Sequence, residues 1–147
     1  MDIKNKKLKT YLLLALNHQS LIATKSNRIV RAANGRPVLE LGARRAQGAD
    51  GAILGARAAY IGGCSGTACT ISDRDFNVPA IGTMAHSWVM YYQDEFEAFK
   101  TYAENYPDGT VLLVDTYDTL NSGIPNAIRT AKEILEPMGK RLKGVRI

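Results

Sequence analysis

Val111-Leu-Leu-Val114 is a continuous apolar run, set between the breaker Pro107-Asp108-Gly109 and the polar Asp115-Thr-Tyr-Asp118. An exposed sheet face would alternate polar and apolar residues. An unbroken run suits a strand covered on both sides, as in a parallel sheet. The sequence around it has the matching rhythm. Val38-Leu-Glu-Leu41, Cys64-Ser-Gly-Thr67, Val78-Pro-Ala-Ile81 and Lys143-Gly-Val-Arg-Ile147 are short strand candidates, separated by helical patterns. Helices are expected from about Tyr11 to Arg31, from Asp50 to Ile61 with Asp50 as cap, and through a short piece ending near Asp75. Two longer ones are expected over Trp88–Asn105 and from Pro125 to Met138, the last stopped by Gly139. Leu12, Leu16, Ile22 and Ile29 mark the buried stripe of the first, and Ile128, Ala131, Ile134, Leu135 and Met138 that of the last. Phe96, Phe99, Tyr102, Ala103 and Tyr106 mark that of the Trp88–Asn105 helix. Alternating strands and helices predict an α/β fold built of βαβ units. An open sheet and a closed barrel are both compatible with this pattern.

Charge and cysteine content narrow the functional classes. The net charge is +5, drawn from Lys4, Lys6, Lys7 and Lys9, from Arg44 and Arg45, and from the Lys140–Arg146 tail. The terminal lysines read as a solvated end, and without interleaved aromatics they make a poor platform for nucleic acid. Cys64 and Cys69 form one pair where zinc wants about four ligands, so two reduced cysteines are expected. The apolar run Tyr11–Leu16 is far short of the roughly 20 residues that cross a bilayer. Polar residues follow it rather than a cleavage site, so no signal peptide is read. A protein of the cytoplasm is expected.

Parallel α/β folds place chemistry at the carboxyl ends of their strands. The residues found there are Arg44, Thr67, His86 and Asp115, and they are expected to converge on one mouth. Arg146 should point opposite to Val145 and Ile147, into a barrel interior if those two pack outward on helices. Each has a plainer structural reading: surface charge for Arg44-Arg45, a helix-start histidine for His86, a loop or cap carboxylate for Asp115. His18 reads as structural. Together they suit an anionic, phosphate-bearing substrate, since guanidinium forks and glycine-rich helix starts both receive phosphate. No Walker or dinucleotide glycine pattern is present.

Five stretches carry a more specific signal: Leu16-Asn-His-Gln-Ser-Leu-Ile-Ala-Thr-Lys25, Leu39-Glu-Leu-Gly-Ala-Arg-Arg-Ala-Gln-Gly48, Gly62-Gly-Cys-Ser-Gly-Thr67, Gly82-Thr-Met-Ala-His-Ser-Trp88, and Leu113-Val-Asp-Thr-Tyr117 with Ser122-Gly-Ile-Pro-Asn126. In order and spacing they resemble the nicotinate phosphoribosyltransferase family, from about Leu12 to Ile147. The resemblance implies a partial (β/α) barrel of the nicotinate/quinolinate phosphoribosyltransferase type over residues 37–147. A helical segment over 11–36 and a lysine-rich stub over 1–10 precede it. It implies an enzyme of NAD salvage that joins nicotinate to phosphoribosyl pyrophosphate with ATP hydrolysis, in a homodimer, with Mg2+. By position, His86 matches the histidine phosphorylated by ATP. Arg44 and Arg45 match the arginines near the pyridine ring and ribose phosphate, and Thr67 a turn near the base. Thr83 and Arg146 are carried as further substrate-binding positions, and Asp115 as a support for the histidine or metal site. The metal ligands themselves are not assigned. A nicotinamide-using relative is the close alternative, and a non-catalytic fragment or interaction subunit the other. The family has a domain before Leu12 and an Asp-Ser-Gly-Asp run after the position of Ile147. The isolated chain is therefore expected to be weakly active or inactive and prone to associate.

Overall fold

The computed structural model describes residues 3–147, with side chains from Leu8 onward, so the surroundings of Lys4, Lys6 and Lys7 lie outside the described residues. The chain is mixed α/β and mostly helical, and it divides into two compact units, Met1–Gly82 and Thr83–Ile147.

The first unit is led by α1 (Ile3–Ala32), which packs along α2 (Ala49–Ile61). The leucines do not form the contact. Leu12, Leu16 and Ile29 are exposed, and the packed face is His18, Ile22, Ser26 and Val30, one residue per turn. The cause is on α2 and its end, where Gly51, Gly55, Gly62 and Gly63 leave room for close approach. A Cβ on Gly55 would lie 3.2 Å from Ile22, and one on Gly62 only 2.6 Å from the Ala23 carbonyl. His18 bonds the Gly51 carbonyl at 3.2 Å and Asn27 donates to the Gly62 carbonyl at 3.2 Å. Backbones brought this near select small and polar partners, so of the expected stripe only Ile22 lies on the packed face.

Strand β1 (Leu39–Glu40) pairs parallel with β2 (Gly66–Thr67) across α2, and Ala80 adds a single bridge to Thr67. The strand expected over Val78–Ile81 is reduced to that bridge, because Pro79 can accept from Thr67 N–H but has no N–H of its own. Gly48 rather than Asp50 caps α2, with φ of 87° and no side-chain bond. The short helix α3 (Thr70–Phe76) ends at left-handed Asn77. Cys64 and Cys69 are unpaired.

In the second unit the expected helix over 88–105 is two helices, α4 (His86–Tyr91) and α5 (Glu95–Asn105). Asp94 breaks the run by capping α5, accepting from Phe96 N–H at 2.6 Å. Strands β3 (Val111–Leu113) and β4 (Gly144–Arg146) pair parallel, with Leu113 opposite Arg146. Helix α6 (Ile124–Thr130) lies between them in sequence, with Pro125 in its first turn, and its coil continues through Met138 to left-handed Gly139. Met84, Val89, Ala98, Phe99, Leu112, Leu113, Val114 and Ala127 form the core of this unit. From the α6 segment Ala127, Thr130 and Leu135 are buried, whereas Ile128 and Met138 face solvent. Val145 and Ile147 are exposed as well, so they do not pack outward on helices. Tyr106, just past the end of α5, is exposed, and Glu95 at its start, not expected inside, is buried. Among the described residues no helix is long and apolar enough to cross a membrane.

Candidate functional site

The β3–β4 pair delivers two of the expected residues from its carboxyl ends. Asp115 follows β3 by one residue beyond Val114, and Arg146 closes β4. The loop leading into α4 runs past them with Thr83 and His86. His86 opens the helix, and its Nε2 lies 3.0 Å from Asp115 Oδ1, with the imidazole half-exposed. Arg146 Nη1 donates to Thr83 Oγ1 at 2.9 Å, and the Thr83 hydroxyl donates in turn to the Met84 carbonyl. Thr83, His86, Asp115 and Arg146 therefore form one cluster within this unit.

The pairing fixes the histidine's chemistry. An ionised carboxylate only accepts, so the proton of the pair belongs on Nε2. In the neutral ring that leaves the lone pair on Nδ1, which makes no hydrogen bond among the described residues. The ring is exposed enough to meet a ligand, and its tautomer is set by a neighbour rather than by solvent.

The first unit carries the other expected residues. Glu40, at the end of β1, takes the Gly42 N–H on Oε1 at 2.5 Å and the Thr67 hydroxyl on Oε2 at 2.6 Å. Thr67 is fully buried, and its hydroxyl also accepts from Cys69 N–H. Its N–H and carbonyl are bound to Pro79 and Ile81. Thr67 thus acts on its surroundings through Glu40 rather than through a free side chain. Beyond this anchored turn, Arg44 and Arg45 are exposed and make no ion pair or side-chain hydrogen bond among the described residues. A cleft of about 570 Å3 lined by Lys25, Glu40, Arg45 and Gln47 opens beside them.

The motif reading missed Glu40, which stands inside the Leu-Glu-Leu run without a spacing that marks it, and the buried Glu95 with its partners Ser122 and Asn126. Among the described residues no group of three His, Cys, Asp or Glu is placed to hold a metal ion.

No family model matches the chain. Single relatives do. Nicotinate phosphoribosyltransferase of Bacillus subtilis is 53% identical over 126 residues, 86% of this chain and 26% of that protein. The chain belongs to the nicotinate phosphoribosyltransferase family. A second relative, nicotinate phosphoribosyltransferase pncB2 of Mycobacterium tuberculosis, is 45% identical over 86% of this chain and 27% of its own length. The crystal structure of human nicotinic acid phosphoribosyltransferase superposes with a TM-score of 0.85 at 28% identity, covering 95% of this chain and 37% of that one. The chain spans about a quarter of the length of the curated relatives it matches.

Proposed function

We propose that this chain carries the phosphate-accepting histidine of a nicotinate phosphoribosyltransferase, the family to which it belongs. In that reading it acts with nicotinate, phosphoribosyl pyrophosphate and ATP as substrates, in the cytoplasm, within a homodimer. Residues 37–147 contribute to an α/β barrel entered through the helical segment 11–36. The two parallel pairs, each joined through a helix, are the units from which such a barrel is built. The observation that carries the functional reading is the His86–Asp115 contact at 3.0 Å on a half-exposed ring.

The chemistry follows from the tautomer. The Nδ1 lone pair attacks the γ-phosphorus of ATP, the bond from that phosphorus to the bridging oxygen breaks, and ADP leaves with the electron pair. The proton on Nε2 stays in place, so the phosphorylated ring is cationic and Asp115 balances the new charge. Phosphate is therefore expected on Nδ1 rather than Nε2. Arg146 spends one donor on Thr83 and keeps others for phosphate oxygens. Arg44 and Arg45, exposed and unpaired, suit the pyridine carboxylate and ribose phosphate. Magnesium is implied by the family. Since no three-ligand group is found among the described residues, no step is assigned to a metal.

The test is transfer of label from γ-labelled ATP to the chain. Acid-labile, base-stable label that survives in His18→Ala and is lost in His86→Ala supports the reading. Absence of label, or label on another residue, overturns it. A second reading, a non-catalytic piece that docks on further protein, is favoured by the exposed Leu8, Tyr11, Leu12, Leu14 and Leu16 of α1. It predicts no label together with concentration-dependent association.

A further inference from the structure

The His86–Asp115 contact joins two stretches of chain with nothing covalent between them nearby, and each continues into a second meeting point. After His86 the chain runs through α4 and the turn at Tyr92–Asp94 to Glu95, the first residue of α5. After Asp115 it runs through a turn capped by Asp118 to Ser122 and Asn126, at the start of α6. There Glu95 Oε2 accepts from the Ser122 hydroxyl at 2.5 Å and from the Asn126 amide at 3.2 Å. The separations in sequence are 29 residues for His86–Asp115 and 27 and 31 for Glu95 with its two partners, so the two ties join the same two stretches.

Glu95 is a costly residue to place here. It is 5% exposed, and Oε1 has no hydrogen-bond partner among the described residues. A buried carboxylate is tolerated only where donors and local dipoles repay its desolvation. The α5 N-terminus and two side-chain donors do so for one oxygen only. Packing alone gives no reason for a charge at this position. Its effect is mechanical: it pins Ser122 and Asn126, which flank Gly123, and Gly123 lies directly on the carbonyl of Val114, the residue before Asp115. Val114 is held on its other side by its N–H bond to the Arg146 carbonyl at 3.0 Å.

We propose that Glu95 is a positioning residue for the His86–Asp115 pair, acting through Ser122, Asn126 and the Gly123–Val114 contact. Its importance to turnover rests on the phosphohistidine reading, but the geometric claim can be checked without any activity. The chain has only two histidines, His18 and His86, so nitrogen-15 NMR of the imidazoles resolves both, with His18 as internal reference. The native protein should show His86 as a single tautomer protonated on Nε2. Glu95→Ala should convert it to a mixture of both tautomers while His18 is unchanged, and Glu95→Gln, whose amide oxygen accepts the same two bonds, should restore the single form. Ser122→Ala removes one donor without touching α5 and should give a partial shift. If Glu95→Ala folds and His86 keeps its native signals, the proposal is overturned. If Glu95→Ala does not fold, native His86 signals in Ser122→Ala overturn it equally. Failure of native His86 to take phosphate from ATP would sink the functional reading and leave these spectra unaffected.

Discussion

Replacing Gly123 with alanine tests the contact on which the site geometry depends. The new Cβ would stand 2.0 Å from the Val114 carbonyl oxygen, 2.7 Å from its carbonyl carbon and 2.9 Å from its Cα. All three are backbone atoms of a fully buried residue, so no side chain can swing aside. Such pairs settle at about 3.5–4.0 Å, so the helix start must retreat from the strand by roughly 1 Å or more. Overpacked cores lose about 1–3 kcal/mol, and an obstacle made of backbone places this change near about 3 kcal/mol. Alanine's better helix propensity returns about 1 kcal/mol, since Gly123 already has right-handed angles of −58° and −51°. The net loss is about 2 kcal/mol, or about 4–8 °C in Tm for a chain of this length. Thermal and urea unfolding followed by circular dichroism reads it directly. Gly109→Ala is the control, because nothing lies within 4 Å of its Cβ position and its φ is not positive. It should stay within about 0.5 kcal/mol of the parent. Equal melting of the two variants would refute the claim that Gly123 is the closure between helix and strand.

Three other outcomes follow from single contacts. Asp115→Asn keeps the size but not the charge opposite Nε2, so phosphate transfer to His86 should fall about 10–100-fold with the fold intact, and an unchanged labelling rate would contradict the pairing. Burial pushes the Cys64 thiol above its ordinary range, against a hydrogen bond from Ser26, so alkylation followed by mass spectrometry should modify Cys64 only at more alkaline pH than a free thiol requires. Because the folded value is the raised one, stability from the neutral thiol is present below the usual thiol range and is lost as pH rises through the raised value. The Asn121 side chain, with the backbone N–H groups of Asn121 and Leu120, holds the Asp118 carboxyl below the usual carboxylate range. That stabilisation is present above the usual range and is lost as pH falls through the lowered value, and Asn121→Ala should move the NMR titration of Asp118 back upward.

What could be read in the sequence was what depends on neighbours along the chain. The run Val111–Val114 announced a covered strand, Pro125 and Gly139 marked the limits of the helix between β3 and β4, and the strand-end rule picked out Asp115. What could not be read depends on partners far away in sequence. The break at Tyr92–Asp94 has no proline or glycine, and an aspartate is a cap only when the next N–H groups turn towards it. The face of α1 was chosen by glycines of α2 that periodicity along α1 does not contain.

The same division runs through the site and explains its construction. The strand-end rule nominated His86 and Asp115 one at a time, and the family resemblance carried Asp115 as a support for the histidine or metal site. The distance at which they meet was not legible, since it depends on how far two stretches are held together over 29 residues of chain. A half-exposed contact between two polar side chains contributes little to stability, about 0–1 kcal/mol, so it does not set that distance by itself. The buried contacts behind it do: Gly123 against Val114, and Glu95 with Ser122 and Asn126. In the site we propose, the His86–Asp115 pair can stay solvated because its spacing is held by buried residues behind it.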